Sequence, residues 1–151
     1  MMPDTRVGHT FGHEFIGVVH EVGSSVENLS VGDRVMVPFN IFCGTCFFCA
    51  RGLYSNCHNV NPNATAVGGI YGYSHTCGGY DGGQAEYVRV PFADLGPGLI
   101  PDWMDDDDAV LCTDALPTAT SEPSSATSSR ATSSWCSAAV PSDCSRPGRA
   151  G

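Results

Sequence analysis

Four cysteines in one short stretch constrain this chain more than any other feature of its sequence. Cys43, Cys46, Cys49 and Cys57 follow the spacing Cys-x2-Cys-x2-Cys-x7-Cys. Four thiolates can complete a tetrahedral shell around Zn²⁺ and leave no position open, which is typical of a structural site. Two disulfides or four ordinary buried thiols are the alternatives, but no apolar secretion signal follows Met1. Iron–sulfur runs usually place a proline after a ligand, and none follows these cysteines.

Charge and composition exclude several classes of function. The chain of 151 residues has 16 acidic and 7 basic side chains, and its net charge of −9 argues against nucleic acid as a partner. No apolar run approaches the roughly 20 residues that a membrane helix needs. We therefore expect a cytoplasmic protein without a membrane partner, whose cysteines are reduced or metal-bound.

Short β-branched runs separated by turns predict a mainly β domain. Strands are predicted within residues 15–22, 31–38 and 84–91, with a long glycine-rich loop over 68–83 and a turn-rich connector over 93–101. Pro38 should end the second strand, because proline cannot donate to a ladder. Short strands joined by long loops indicate a barrel-like arrangement.

Four consecutive aspartates, Asp105 to Asp108, precede the apolar stretch Ala-Val-Leu. Carboxylates in a first turn interact favourably with the positive end of a helix. A calcium site or an acidic interaction patch is the alternative, but the Asp-x-Asp-x-Asp-Gly spacing of an EF-hand loop is absent. The sequence therefore predicts a short helix near 105–113 that ends around Pro117.

The composition changes sharply after Thr118. Residues 119–151 are mostly Ser, Ala, Thr, Pro and Arg, with Trp135 as their only aromatic residue and no Leu, Ile, Phe or Met. Such a segment buries too little apolar surface to offset the entropy of ordering it. We predict a domain over residues 1–118 and a low-complexity, disordered tail over 119–151.

Several short motifs surround the cysteines in a fixed order. Gly-His-Glu at 12–14, Glu-Val-Gly at 21–23 and Val-Gly-Asp-Arg-Val at 31–35 precede them, and Gly-Gln-Ala-Glu-Tyr at 83–87 follows. In this order, residues 8–118 resemble the zinc-dependent medium-chain alcohol dehydrogenases. The glycine-rich stretch over 68–91 and Leu-Cys-Thr-Asp-Ala-Leu-Pro-Thr at 111–118 are most similar to the formaldehyde-dehydrogenase-like branch.

The resemblance implies a fold, two zinc ions and a cofactor. It implies a GroES-like β-barrel catalytic domain, a Rossmann domain that binds NAD(P), and assembly into homo-oligomers. The structural zinc falls on the four cysteines. His13 and Asp114 correspond to ligands of the catalytic zinc, with the aspartate in place of a family cysteine. Glu14 corresponds to the adjacent catalytic-site glutamate, which is either a transient ligand of the zinc or a neighbour of its ligands.

The resemblance also implies a reaction on a small alcohol or aldehyde. The catalytic zinc binds the substrate oxygen and stabilises the alkoxide as a Lewis acid. A hydride then passes to the nicotinamide, which carries the redox step.

The chain departs from the family's pattern at both ends. The family's first catalytic ligand is a cysteine upstream of Gly-His-Glu, and Met1 comes too late to include it. The Gly-x-Gly-x-x-Gly turn that binds the cofactor's pyrophosphate is also absent, so no residue is assigned to cofactor binding. We expect a fragment that holds the catalytic zinc weakly and is inactive alone. A non-catalytic zinc-binding module is the alternative.

A shifted reading frame accounts for the composition of the tail. When residues 118–151 are back-translated with G/C-rich codons and read from the third base of codon 118, they can spell a β-strand followed by Gly-Cys-Gly-Pro-Val-Gly. This hexapeptide fits the dinucleotide-binding fingerprint. The third bases are free choices, but the first two of each codon are largely fixed. We therefore predict that residues 119–151 are out-of-frame translation.

Overall fold

The computed structural model describes residues 4–61 and 68–121. Short strands and long loops dominate this part of the chain, which confirms the predicted mainly β class. The strands are Phe15–Val18 (β1), Arg34–Val37 (β2), Asn40–Ile41 (β3), Gly69–Ile70 (β4) and Gly98–Leu99 (β5). The helices are Asp106–Leu111 (α1) and Ala115–Ser121 (α2), and 3₁₀ turns cover Cys49–Arg51, Tyr54–Asn56 and His75–Cys77.

The described strands pair in two small antiparallel sheets. One has the order β1-β2-β5, with Phe15 opposite Val37 and Val35 opposite Leu99. The other joins β3 to β4, with Asn40 opposite Ile70. The second strand ends at Val37, immediately before the proline that was predicted to end it.

The central strand β2 separates two apolar clusters, because its side chains alternate between the faces of the sheet. Val35 and Val37 point into the larger cluster, which includes three of the four zinc-motif cysteines. Met36 points to the other face and packs on a smaller cluster of Ile100, Met104 and Ala109. The larger cluster thus connects the sheet directly to the cysteine lobe.

The prediction of a strand over residues 84–91 is wrong, because that segment belongs to neither sheet. The amide of Gln84 donates to the carbonyl of Phe11 over 2.9 Å. Beyond that point, no ladder partner lies beside the segment within the described residues. A period-two pattern selects extended backbone, but a strand also needs a neighbour to pair with.

Other strand boundaries were only partly predicted. The first strand stops at Val18 instead of residue 22. β4 lies in the stretch predicted as a glycine-rich loop, and β5 lies in the predicted connector over 93–101. Two-residue strands rich in glycine are too short to show an alternating apolar pattern, so they can be recognised only from the strand they pair with.

The aspartate run begins α1, as predicted. Asp105 is the N-cap, and its carboxylate accepts a hydrogen bond from the amide of Asp108 over 3.1 Å. The guanidinium of Arg34 pairs with Asp106 and donates to the carbonyl of Met104 over 3.2 Å. The run therefore caps the helix and ties it to β2.

The prediction that the helical region ends around Pro117 is wrong. Helix α2 begins at Ala115 and continues to Ser121, so Pro117 lies in its first turn. Proline is tolerated there because the amide groups of a first turn have no partner inside the helix. The predicted tail boundary at residue 119 therefore falls within α2, and the rest of the tail, 122–151, lies outside the described residues.

Within residues 4–61 and 68–121, neither helix can cross a membrane, because the longer one has only seven residues.

Candidate metal centres

The four cysteines of the sequence motif lie together in the structure. Their Sγ atoms are all within 4.8 Å of one another, and three of the four residues are buried. Two 3₁₀ turns, at Cys49–Arg51 and Tyr54–Asn56, fold the chain back so that Cys57 meets the other three. Gly44, with φ of 76°, and Gly52, with φ of 75°, adopt the left-handed backbone that these tight turns require.

The spacing of the sulfur atoms fits a zinc ion and not a disulfide. The Sγ atoms of Cys46 and Cys57 lie 3.8 Å apart, whereas a disulfide requires about 2.05 Å. Four sulfurs at about 2.3 Å from a tetrahedral centre are separated by about 3.8 Å along each edge. The donor set also suits Zn²⁺ chemically, because thiolates are among its preferred ligands.

Neighbouring N–H groups stabilise negative charge at the cluster. The Sγ of Cys43 accepts hydrogen bonds from the backbone amide of Thr45 over 3.5 Å and from the side-chain amide of Asn59 over 3.3 Å. Burial raises the pKa of Cys43, but hydrogen bonds with Thr45, Cys46 and Cys57 together outweigh burial and lower that pKa to about 6. A hydrogen bond from the backbone of Cys49 lowers the pKa of Cys46.

The pKa of Cys49 shifts in the opposite direction. Burial and the neighbouring Cys46 thiol raise its pKa to about 12. At neutral pH and without metal, the Cys49 thiol is therefore protonated while Cys43 is already a thiolate. A metal ion must displace that proton before four thiolates can bind it.

Zinc affinity should therefore fall as the pH falls. Displacement of the Cys49 proton alone should cost about tenfold in affinity for each pH unit from pH 8 to pH 6. Below about pH 6, Cys43 also becomes protonated, so zinc affinity should fall more steeply with each further pH unit. Competition titrations with a chromophoric chelator at several pH values measure this slope. An affinity independent of pH over this range would argue against thiolate ligation.

A second group of donor atoms brings together residues from the two ends of the described chain. The imidazole Nε2 of His13 lies 3.3 Å from Oδ2 of Asp114. Glu14 joins them, so that one donor atom from each residue lies within 4.8 Å of the others. His13 and Asp114 are half-buried, with 33% and 21% of their side chains exposed, so the cluster is open to solvent on one side.

Backbone packing at Gly12 fixes the position of His13. Gly12 precedes it with φ of 97°, and a Cβ there would lie 3.0 Å from Cγ and 3.2 Å from the backbone N of Gln84. The His13 ring makes edge-on contacts with Phe39 and Tyr73, at centroid distances of 6.3 and 6.2 Å. The amide of Phe39 in turn donates to the carbonyl of Thr113 over 3.4 Å, which places Asp114 opposite the histidine.

Helix α2 holds the other side of the cluster. Asp114 immediately precedes Ala115, its first residue. The hydroxyl of Thr118 donates to Oδ1 of Asp114 over 2.6 Å, which leaves Oδ2 facing the histidine. Sequence reasoning did not identify Thr118, Phe39 or Tyr73 as neighbours of this site. Only the i, i+4 spacing of Asp114 and Thr118 carried a local signal.

The two other described cysteines lie outside both clusters. Cys77 is buried in the 3₁₀ turn at His75–Cys77. The thiol of Cys112 donates to the carbonyl of Asp108 over 3.6 Å. Neither supplies a donor atom to the two clusters within the described residues.

The chain matches known proteins over most of its length. Residues 1–102 match the family described as the alcohol dehydrogenase GroES-like domain. An uncharacterized zinc-type alcohol dehydrogenase-like protein of Bacillus subtilis is 48% identical over 110 residues, or 73% of this chain and 29% of that protein. The glutathione-independent formaldehyde dehydrogenase of Pseudomonas aeruginosa is 47% identical over 94 residues, or 62% of this chain and 23% of that protein.

Solved structures agree with these sequence matches. The alcohol dehydrogenase of Thermus sp. ATN1 superimposes with a TM-score of 0.67 at 38% identity, covering 75% of this chain and 30% of that one. The chain thus spans less than a third of the length of each of these relatives. The family match covers well over half of the chain, and its relatives are named as zinc-type alcohol dehydrogenases and formaldehyde dehydrogenases. This chain therefore belongs to the alcohol dehydrogenase family with a GroES-like domain.

Proposed function

We propose that this chain is part of the catalytic domain of a zinc-dependent, NAD(P)-dependent alcohol or aldehyde dehydrogenase. It supplies a structural zinc site on Cys43, Cys46, Cys49 and Cys57, and part of a catalytic zinc site on His13 and Asp114, with Glu14 beside them. The domain covers residues 1–118. The remaining residues, 119–151, are out-of-frame translation.

One observation carries the proposal. Residues 13 and 114 are far apart in sequence, yet their donor atoms lie 3.3 Å apart. A structural zinc module needs only its four cysteines, and nothing in that role requires a second cluster built from residues outside the cysteine lobe. A cluster of one imidazole and two carboxylates, with His13 and Asp114 half-buried and Glu14 exposed, is instead open to solvent, as a catalytic metal needs in order to reach a substrate.

The residues of the second cluster fit a zinc ion. Imidazole nitrogen and carboxylate oxygen are both zinc ligands, and three protein ligands are usual at catalytic sites. When bound there, zinc would polarise an alcohol or aldehyde oxygen as a Lewis acid. His13 and Asp114 would hold the ion, and the rings of Phe39 and Tyr73 beside His13 would shield part of the site from water.

The remaining parts of the activity would come from outside residues 1–118. We propose that a cofactor domain supplies NAD(P), that an upstream cysteine supplies a further zinc ligand, and that the complete enzyme forms homo-oligomers. This chain would then hold the second metal weakly and would not catalyse turnover alone. A site built on free thiolates also favours a reducing compartment such as the cytosol. The DNA sequence around codon 118 tests the frame shift directly.

The second cluster should bind a divalent metal ion more weakly than the cysteines do. Zinc fills the cysteine site first, and Co²⁺ then reports the second site through its visible spectrum, since Co²⁺ competes poorly with zinc for the same ligands. His13→Ala and Asp114→Ala should each weaken Co²⁺ binding by about tenfold or more, because each removes one ligand.

Asp107→Ala serves as a matched control, since it removes an exposed carboxylate that lies outside both clusters. It should leave both metal equivalents unchanged. Co²⁺ binding that survives in both ligand variants would show that the cluster is not a metal site and would favour the non-catalytic zinc module. Two equivalents of tightly held zinc in the unaltered chain would contradict the proposal that a ligand is missing.

A further inference from the structure

A threonine outside both clusters makes a short contact with the carboxylate of Asp114. The Thr118 hydroxyl donates to Oδ1 over 2.6 Å, and the Thr118 amide donates to the carbonyl of Asp114 over 3.0 Å. The aspartate and the threonine are four residues apart at the start of α2, so the helix itself places the hydroxyl above the carboxylate. A hydroxyl–carboxylate distance of 2.5–2.7 Å is typical of a charge-assisted hydrogen bond.

This bond assigns different roles to the two carboxylate oxygens. Oδ1 accepts from Thr118, whereas Oδ2 lies 3.3 Å from Nε2 of His13. A carboxylate held at one oxygen cannot rotate freely about its last torsion, so the other oxygen keeps a fixed direction. Removing a group that hydrogen-bonds to a metal ligand in this way typically lowers metal affinity by about 10–100-fold.

We propose that Thr118 is a positioning residue for the second metal centre, which orients Oδ2 of Asp114 toward the ion that His13 would share. This inference rests on the proposed function, because it assigns a role at the same site. Thr118 would act on the ion through Asp114, whose Oδ1 accepts its hydroxyl hydrogen bond.

The same helix contains a matched control. Thr120 is two residues further along α2, and its hydroxyl donates to the carbonyls of Leu116 and Pro117 over 3.0 and 3.1 Å. Both threonines are exposed and both hydroxyls are hydrogen-bonded, but only Thr118 reaches a carboxylate. Thr120→Val therefore reproduces the loss of a hydroxyl and any change in helix propensity, without altering Asp114.

The test measures Co²⁺ affinity and the visible Co²⁺ spectrum in the full chain with zinc already in the cysteine site. Thr118→Val should weaken Co²⁺ binding by about tenfold and shift the spectrum. We expect the lower end of the 10–100-fold range because the hydroxyl is exposed to solvent. Thr118→Ser keeps the hydroxyl and should restore affinity to within about twofold, and Thr120→Val should match the unaltered chain.

Each other outcome overturns the inference in a distinguishable way. Equal affinity and an unchanged spectrum in Thr118→Val would show that Asp114 needs no such support, while the metal centre itself would stand. Equal weakening by Thr118→Val and Thr120→Val would show a general effect on α2. If the unaltered chain binds no Co²⁺ beyond the cysteine site, the second centre and the role of Thr118 both fail.

Discussion

Replacing one cysteine of the proposed zinc site, in Cys46→Ser, should lower the zinc content from about one equivalent to none and unfold the lobe over residues 43–57. The lobe has few other sources of stability. Its regular structure consists of two three-residue 3₁₀ turns, and Cys43, Cys49 and Cys57 are themselves part of the larger apolar cluster. Structural zinc contributes about 10–16 kcal/mol of apparent binding energy in small zinc domains. That is comparable to the roughly 5–15 kcal/mol by which a whole domain is stable.

The effect should extend beyond the lobe, because the larger cluster also contains Val35 and Val37 of β2. Hydrogen exchange should therefore accelerate in β2 as well as over residues 43–57. Cys112→Ser is the control, since this cysteine lies outside the cluster and a serine hydroxyl can still donate to the Asp108 carbonyl. A folded lobe that contains no metal and two disulfides would contradict the zinc assignment.

The second prediction with a large expected effect concerns dehydrogenase activity. Residues 1–151 alone should show no NAD(P)-dependent oxidation of alcohols or hydrated aldehydes. Hydride transfer needs a nicotinamide held close to the substrate, and such positioning supplies much of an enzyme's rate. A longer protein, with the frame restored after Thr118 and an upstream cysteine segment added, should gain this activity.

In that restored protein, His13→Ala or Asp114→Ala should reduce kcat/KM by about a thousandfold or more. The Lewis-acid contribution of a metal is several kcal/mol, and each 1.36 kcal/mol corresponds to about a factor of ten in rate. Asp107→Ala should leave the activity unchanged. Dehydrogenase activity in residues 1–151 alone would contradict the proposal and would mean that another site or chain supplies the cofactor pocket.

The clustering of the four cysteines was predictable from sequence because its geometry is local. Three ligands are separated by two residues each and the fourth by seven, so short turns can bring them together whatever the rest of the chain does. The capped start of α1 was predictable for the same reason. Asp105 bonds to an amide only three residues away, and this preference is set within one helical turn.

The second cluster could not be predicted from the residues alone. His13 and Asp114 meet only through tertiary packing, such as the hydrogen bond between Phe39 and Thr113, and no local pattern encodes that contact. Only the resemblance to a known family suggested the pairing. Thr118 remained unidentified because a threonine four residues after an aspartate is common, and its role depends on where the aspartate points.

The strand errors have one physical cause. The alternation over residues 84–91 describes a backbone that could pair, but the described residues place no ladder beside it. Conversely, Gly98 and Leu99 show no alternation, yet they pair with β2. Pairing is a property of two segments together, whereas periodicity is a property of one.

X-ray absorption at the zinc edge, on the chain loaded with one equivalent of zinc, identifies the ligands of the first ion. We expect four sulfur ligands at about 2.3 Å and no nitrogen or oxygen in the first coordination sphere. That result would place the zinc on Cys43, Cys46, Cys49 and Cys57, whose Sγ atoms lie within 4.8 Å of one another. A sphere of nitrogen and oxygen ligands would show that the first zinc binds elsewhere and would contradict a structural zinc site on the four cysteines.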